Sequence, residues 1–147
     1  MRASSVKRGY ASMSAEAEYL RSEVKNVSAT IVMAEELVAK EKLNQFEVIA
    51  LGKLLQDVYM GVERILRCRL EMMGIKIVKT ESWHKALLLK AKDKSLLTDE
   101  QFQAVSRLLV FRHMEIHGYG FMLDEKRLRE LAGPAVQFCR EFVKEIA

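Results

Sequence analysis

Residues that interrupt regular structure are scarce in this chain, and their scarcity constrains the fold more than any other feature. The 147 residues include one proline, Pro134, and seven glycines. A β protein of this length needs a turn signal about every 8–12 residues, and those residues are missing. Half of the residues are hydrophobic, and good helix formers such as Leu, Ala, Glu and Lys dominate. The composition therefore predicts a single all-α domain with a substantial core.

Apolar residues recur at intervals of three and four in four long segments and one short segment. This pattern predicts an up-and-down bundle of four main helices plus a short helix that carries Trp83. Glu47 and Gln101 each stand three residues after a capping residue, as in a capping box. The predicted N-terminal signals of the four long helices are Ser14, Asn44, Thr98 and Asp124.

Three further expectations concern the limits and interiors of these helices. Residues 1–12 are small and polar, which predicts a flexible N-terminal extension ahead of a domain over residues 13–147. Gly61 lies inside the second helix, where a missing side chain allows another backbone to approach closely. Pro134 lies inside the last helix, where it is expected to kink or divide it.

Charge and cysteine content restrict the class of protein. The formal net charge is +4, from 24 basic and 20 acidic residues, which fits a polyanionic partner without requiring one. Cys68 and Cys139 belong to no CxxC pair and are expected to be reduced packing thiols. No apolar run is long enough for a secretory signal or a membrane span. These features predict a soluble cytoplasmic protein with no membrane partner.

One segment stands out as a candidate reaction centre: Arg112-His113-Met114-Glu115-Ile116-His117-Gly118-Tyr119, which has the form R-x4-H-x-Y. On a straight helix, Arg112 and His117 are separated by roughly 140° and do not share a face. The glycine break at Gly118, together with the length of the arginine side chain, would allow the two side chains to converge. Arginine presents a planar fork of donors to phosphate, and histidine moves protons near pH 7. With the 2′-hydroxyl of RNA as nucleophile, such a pair could cleave RNA without a metal ion.

Less specific interpretations of the same residues remain open at this point. An arginine and a histidine five residues apart are common by chance, and a tyrosine such as Tyr119 is most often a packing residue. His113 and His117 share a helical face and could chelate a metal, although H-M-E-I-H differs from the H-E-x-x-H of zinc proteases. The basic residues of the last helix could line an RNA path or form a solvated face; they are Lys126, Arg127 and Arg129.

At the R-x4-H-x-Y segment the chain resembles the HEPN superfamily, and within it the HepT-like ribonuclease toxins. The R-x4-6-H motif of that family matches Arg112 and His117, its fuller form adds Tyr119, and a polar residue such as His113 often follows the arginine. Residues 51–66 resemble the second helix of the family, and residues 83–88 resemble the short stretch that follows it. The resemblance covers roughly residues 15–145 and leaves the first dozen residues unexplained.

The resemblance implies a HEPN-like helical bundle that forms a homodimer and cuts RNA in a cleft between protomers, with no metal and no cofactor. It implies Arg112 and His117 as catalytic residues and His113 as a supporting residue. It also implies a minimal nucleotidyltransferase antitoxin as partner, which transfers AMP to Tyr119 and so blocks the cleft by bulk and charge. The alternative is a non-catalytic helical subunit that binds substrates or partners for a nucleotidyltransferase.

Overall fold

The computed structural model describes the backbone of residues 2–116 and 124–146 and the side chains of residues 15–114 and 124–146. All regular structure in these residues is helical, which confirms the predicted all-α bundle of four long helices and one short helix. The elements are α1 (Arg2–Val38), α2 (Gln45–Met72), α3 (Trp83–Asp93), α4 (Asp99–Ile116) and α5 (Glu125–Ile146). No helix in this part of the chain combines the length and the apolar character needed to span a membrane.

Helices α2, α4 and α5 begin where the capping residues predict. The Asn44 side chain accepts a hydrogen bond from the Glu47 backbone N–H at 2.8 Å, and the Glu47 carboxylate accepts one from the Asn44 N–H at 3.0 Å. Thr98 and Gln101 exchange the same pair of bonds at the start of α4. Asp124 accepts a bond from the Lys126 N–H at 2.9 Å. Each cap satisfies backbone donors that lack a partner within the helix.

The first helix is longer than the sequence predicts. Helical backbone begins at Arg2, so the predicted start at Ser14 is wrong. The segment before Ser14 contains good helix formers and no proline, and its one glycine, Gly9, reduces helix stability without ending the helix. Whether residues 1–12 are flexible stays a prediction. Pro134 likewise lies within α5 and does not divide it.

Helix α2 lies at the centre of the bundle and packs against all four other helices. Its inward positions recur at intervals of three and four and are fully buried, and they include Leu51, Leu55, Val58, Tyr59, Val62, Ile65 and Leu66. Helix α5 covers α1, α2 and α4, whereas α3 packs on α2 and α4. The free thiols of Cys68 and Cys139 are buried, as predicted.

Helices α1 and α2 approach closely at Gly61. A Cβ atom at this glycine would lie 2.0 Å from Cγ2 of Val27, a side chain of α1 that is 2% exposed. A close approach is therefore present at Gly61, but it is made by a side chain and not by the backbone that the sequence predicted. The C-terminal end of α2 is followed by Gly74 at φ +79°, a conformation that favours glycine.

The loop between α1 and α2 is tied to the start of α5. Arg129 donates from its guanidinium to the carbonyl oxygens of Val38 at 3.0 Å and Lys40 at 2.6 Å. Glu125 accepts from the Arg129 Nε–H at 3.1 Å and from the Leu43 N–H at 3.0 Å. Arg129 thus satisfies backbone carbonyls within the fold. Whether the basic residues at the start of α5 line an RNA path stays a prediction. Lys126 and Arg127 are exposed.

Candidate functional site

Arg112 lies near the C-terminal end of α4, with its side chain half-buried. Its guanidinium carbon is 5.8 Å from the centroid of the Tyr59 ring on α2. This is within the range of a cation–π contact, in which the negative face of the ring attracts the cation. Among the described side chains, no carboxylate forms an ion pair with Arg112. The ring thus holds the cation, and no described carboxylate occupies its planar N–H donors, which are the groups that bind phosphate.

Tyr59 is fully buried, and its phenol is held in one orientation. The phenolic O–H donates to Oε2 of Glu63 at 2.5 Å, one helical turn further along α2. Burial raises the pKa of Tyr59 well above its usual value, and the hydrogen bond and charge of Glu63 raise it further. The nearby charge of Arg112 acts in the opposite direction and is the smaller effect. Tyr59 is therefore a neutral donor throughout the usable pH range.

Glu63 also joins this group to the start of α3. Its Oε2 atom is 2.6 Å from Nδ1 of His84, so one carboxylate oxygen holds both the phenol and the imidazole. An ionised carboxylate can only accept, and this assigns the Nδ1 proton to His84. The centroids of the His84 and Trp83 rings are 3.9 Å apart, and Nζ of Lys79 is 5.5 Å from the Trp83 ring.

Sequence reasoning missed this group of residues. Nothing in the sequence pattern gave Tyr59 or His84 a chemical role. A weak signal was present, because Glu63 follows Tyr59 by four residues in the most deeply buried helix, where a carboxylate needs a partner. The position of His84, 21 residues beyond Glu63, could not be inferred from helical spacing.

The other residues of the R-x4-H-x-Y segment are described only in part. His113 is exposed in the last turn of α4, next to Arg112. His117 and Tyr119 lie outside the described residues, so the convergence of Arg112 with His117 and the role of Tyr119 stay predictions. The described side chains contain no group of three or more His, Cys, Asp or Glu suited to hold a metal ion. The metal alternative, which also needs His117, stays open.

Comparison with known proteins assigns the chain to a family. A family model described as HepT-like protein matches residues 50–147. The chain belongs to the HepT-like family. The match places it in the HEPN superfamily and confirms the resemblance carried by the R-x4-H-x-Y segment. No curated protein and no solved structure was found to match the chain.

The family match covers the C-terminal two thirds of this HepT-like chain. The matched residues contain Arg112 and the three residues of the polar group beneath it, Tyr59, Glu63 and His84. Helix α1 lies before the match, although it packs against α2 and α5. The family suggests a HEPN-type toxin in a toxin–antitoxin context, with RNA as the target.

Proposed function

We propose that this chain is the toxin of a toxin–antitoxin system and cleaves RNA in the cytoplasm without a metal ion, using Arg112 and His117. The observation that carries the proposal is the complete R-x4-H-x-Y segment within a HepT-like match over residues 50–147. The setting of Arg112 supports it, because the guanidinium is half-exposed and rests on the face of the Tyr59 ring. A cation held in this way can offer a planar set of donors to a phosphate.

The reaction uses the 2′-hydroxyl of the RNA as nucleophile. His117 accepts the hydroxyl proton while the 2′-oxygen forms a bond to the adjacent phosphorus. The bond between phosphorus and the 5′-oxygen then breaks, and the departing oxygen takes up a proton from water, while His117 releases the proton it accepted to the solvent. Arg112 stabilises the negative charge that accumulates on the phosphate oxygens, and His113 supports it. The products are a 2′,3′-cyclic phosphate end and a free 5′-hydroxyl end.

Purified variants test this assignment of roles. Arg112→Ala and His117→Ala are each expected to lower RNA cleavage in the presence of EDTA by about 100-fold or more. Arg107→Ala is the matched control, because it removes an exposed arginine of the same helix that lies outside the motif. Mass spectrometry of the RNA ends identifies the products. Undiminished cleavage by a folded His117→Ala protein would overturn the proposal.

The same preparations separate this function from the alternative of a non-catalytic subunit. A wild-type protein that leaves diverse RNAs intact, yet binds a minimal nucleotidyltransferase tightly, would favour that alternative. Expression of the chain in cells without the nucleotidyltransferase adds a second readout, because a toxin arrests growth and a binding subunit does not. Growth arrest that disappears in both Arg112→Ala and His117→Ala supports the ribonuclease.

Neutralisation is proposed to occur by AMPylation of Tyr119. A nucleotidyltransferase antitoxin transfers AMP from ATP to the phenolic oxygen and releases pyrophosphate. The added phosphate carries negative charge beside Arg112 and His117, which repels RNA and occupies its site. Intact-mass measurement after coexpression with the partner should show whole AMP additions. A Tyr119→Phe protein that gains the same mass would rule out Tyr119 as the acceptor.

The proposed homodimer has support on the outer face of α4. Val110 is 62% exposed and Met114 is 50% exposed, and their four-residue spacing places them on one face of the helix that carries Arg112. Exposed apolar side chains in this position are suited to contact a second protomer. Val110→Glu is expected to shift the mass measured by light scattering from dimer to monomer. The exposed Leu89 of α3 provides a matched control as Leu89→Glu.

A further inference from the structure

A polar network of Tyr59, Glu63 and His84 joins α2 and α3 beneath the motif arginine of α4, and none of its three members belongs to the R-x4-H-x-Y segment. Oε2 of Glu63 lies 2.5 Å from the Tyr59 hydroxyl and 2.6 Å from Nδ1 of His84. The guanidinium of Arg112 lies over the Tyr59 ring, at the end of the network away from His84. The network therefore runs from the start of α3 to α2, where the ring of Tyr59 contacts Arg112 of α4.

We propose that Tyr59, Glu63 and His84 are positioning residues, which hold the Arg112 guanidinium in the geometry required for RNA cleavage. The inference rests on the proposed function and adds a supporting set of residues to it. Each member acts through the next. His84 orients the Glu63 carboxylate, Glu63 fixes the Tyr59 phenol, and the ring of Tyr59 supports the Arg112 cation. Supporting contacts of this kind keep a reacting group within the narrow tolerance that catalysis requires.

The chemistry of Tyr59 is better suited to this role than to packing alone. A phenylalanine would fill the same buried space without a hydroxyl that needs a partner. The tyrosine instead donates to a carboxylate, which moves electron density towards the ring and strengthens its attraction for a cation. The charge of Glu63 attracts Arg112 through the same low-dielectric region without forming an ion pair that would occupy the guanidinium.

The contact with His84 fixes the carboxylate from a second helix. Tyr59 and Glu63 are both on α2, so their spacing follows from that helix alone. His84 is in the first turn of α3, and its side chain is 26% exposed while that of Glu63 is 12% exposed. A largely buried carboxylate with two donors has little freedom to rotate. The position of the Tyr59 hydroxyl therefore depends on how α3 is anchored on α2.

The test compares Glu63→Gln, His84→Gln and Tyr59→Phe with the control Glu71→Gln, which alters an exposed carboxylate on the same helix. Removing a supporting contact is expected to lower kcat for RNA cleavage by about 10- to 100-fold, with a much smaller change in KM. Thermal unfolding verifies that each variant is folded. Tyr59→Phe keeps the ring and is expected to retain more activity than Tyr59→Leu, which removes the ring face.

A spectroscopic readout on the inactive His117→Ala background is independent of ribonuclease activity. The Nε–Hε resonance of Arg112, assigned by its loss in Arg112→Lys, reports the ring current of Tyr59. It should move in Glu63→Gln and His84→Gln and stay unchanged in Glu71→Gln. Resonances that do not move in folded network variants would overturn the positioning role, whether or not RNA is cut. If the resonance moves while Arg112→Ala cleaves RNA normally, the ribonuclease assignment fails and the contact between the network and Arg112 stands.

Discussion

Replacing Gly61 with alanine measures how closely α1 and α2 pack. The new Cβ would lie 2.0 Å from Cγ2 and 3.4 Å from Cβ of Val27. Val27 is 2% exposed, so its methyl groups have no open space to occupy. A valine in a helix also has one strongly preferred side-chain rotamer. The added methyl must therefore separate the helices or force Val27 into an unfavourable conformation.

Two opposing effects set the magnitude for Gly61→Ala. Alanine in place of glycine within a helix stabilises by about 1 kcal/mol. An extra methyl in a packed core costs about 1–3 kcal/mol, and a separation as short as 2.0 Å places the cost in the upper part of that range. We expect a net loss of roughly 1–2 kcal/mol in the free energy of unfolding. For a chain of this size, Tm should fall by roughly 3–8 °C.

A double-mutant cycle with Val27→Ala isolates the contact. Val27→Ala removes both γ-methyl groups, so the Cβ added at Gly61 then has room. In that background Gly61→Ala should be neutral or stabilise by up to about 1 kcal/mol. The coupling between the two changes, measured by urea denaturation followed by circular dichroism, should be about 2 kcal/mol. If Gly61→Ala stabilises both backgrounds equally, the proposed close packing of Val27 on Gly61 is wrong.

Three further predictions concern a turn, a cap and a buried thiol. Gly74→Ala should cost about 1–2 kcal/mol because φ is +79° there, although a Cβ would meet no atom within 4 Å; an unchanged urea midpoint would contradict that backbone conformation. Asn44→Ala should cost about 1 kcal/mol by removing the α2 cap, whereas Asn44→Asp should be nearly neutral by the same assay. Burial raises the pKa of Cys139 to about 12, so native protein at pH 8 should resist alkylation at this thiol in mass-spectrometric labelling. The stability gained from keeping Cys139 neutral should be complete below the ordinary thiol pKa of about 8.5 and decline as pH rises towards 12, a decline that Cys139→Ala should remove.

Features that depend on neighbouring residues were the ones that sequence reasoning predicted well. The caps at Asn44 and Thr98 are formed by residues three positions apart, so their pattern is visible in the sequence. The start of α1 was not predicted correctly, because Ser14 is a residue type that favours an N-cap and yet lies inside a continuous helix. A capping side chain has an effect only where the backbone leaves the helix, and nothing local at Ser14 requires that.

Features that depend on the meeting of distant residues were missed. Arg129 was expected to line an RNA path or to form a solvated helix face with Lys126 and Arg127, and its partners in the structure are carbonyl oxygens 91 and 89 residues earlier in the chain. The network of Tyr59, Glu63 and His84 joins two helices in a way that no periodicity encodes. The motif arginine was singled out by resemblance, whereas the ring on which it rests became visible only in the structure.

The hydrogen bonds of Arg129 to Val38 and Lys40 also bear on how the chain folds during synthesis. Helix α1 leaves the ribosome long before the residue that binds its C-terminal end, since 91 residues separate Val38 from Arg129. At about 5–20 residues per second, that interval lasts roughly 5–20 s. Throughout it α1 lacks the cover that α5 provides, and closing so long a loop also slows folding. The chain therefore emerges with its bundle incomplete. Under the proposed toxin function, this interval would give a neutralising partner time to meet the chain before RNA is cut.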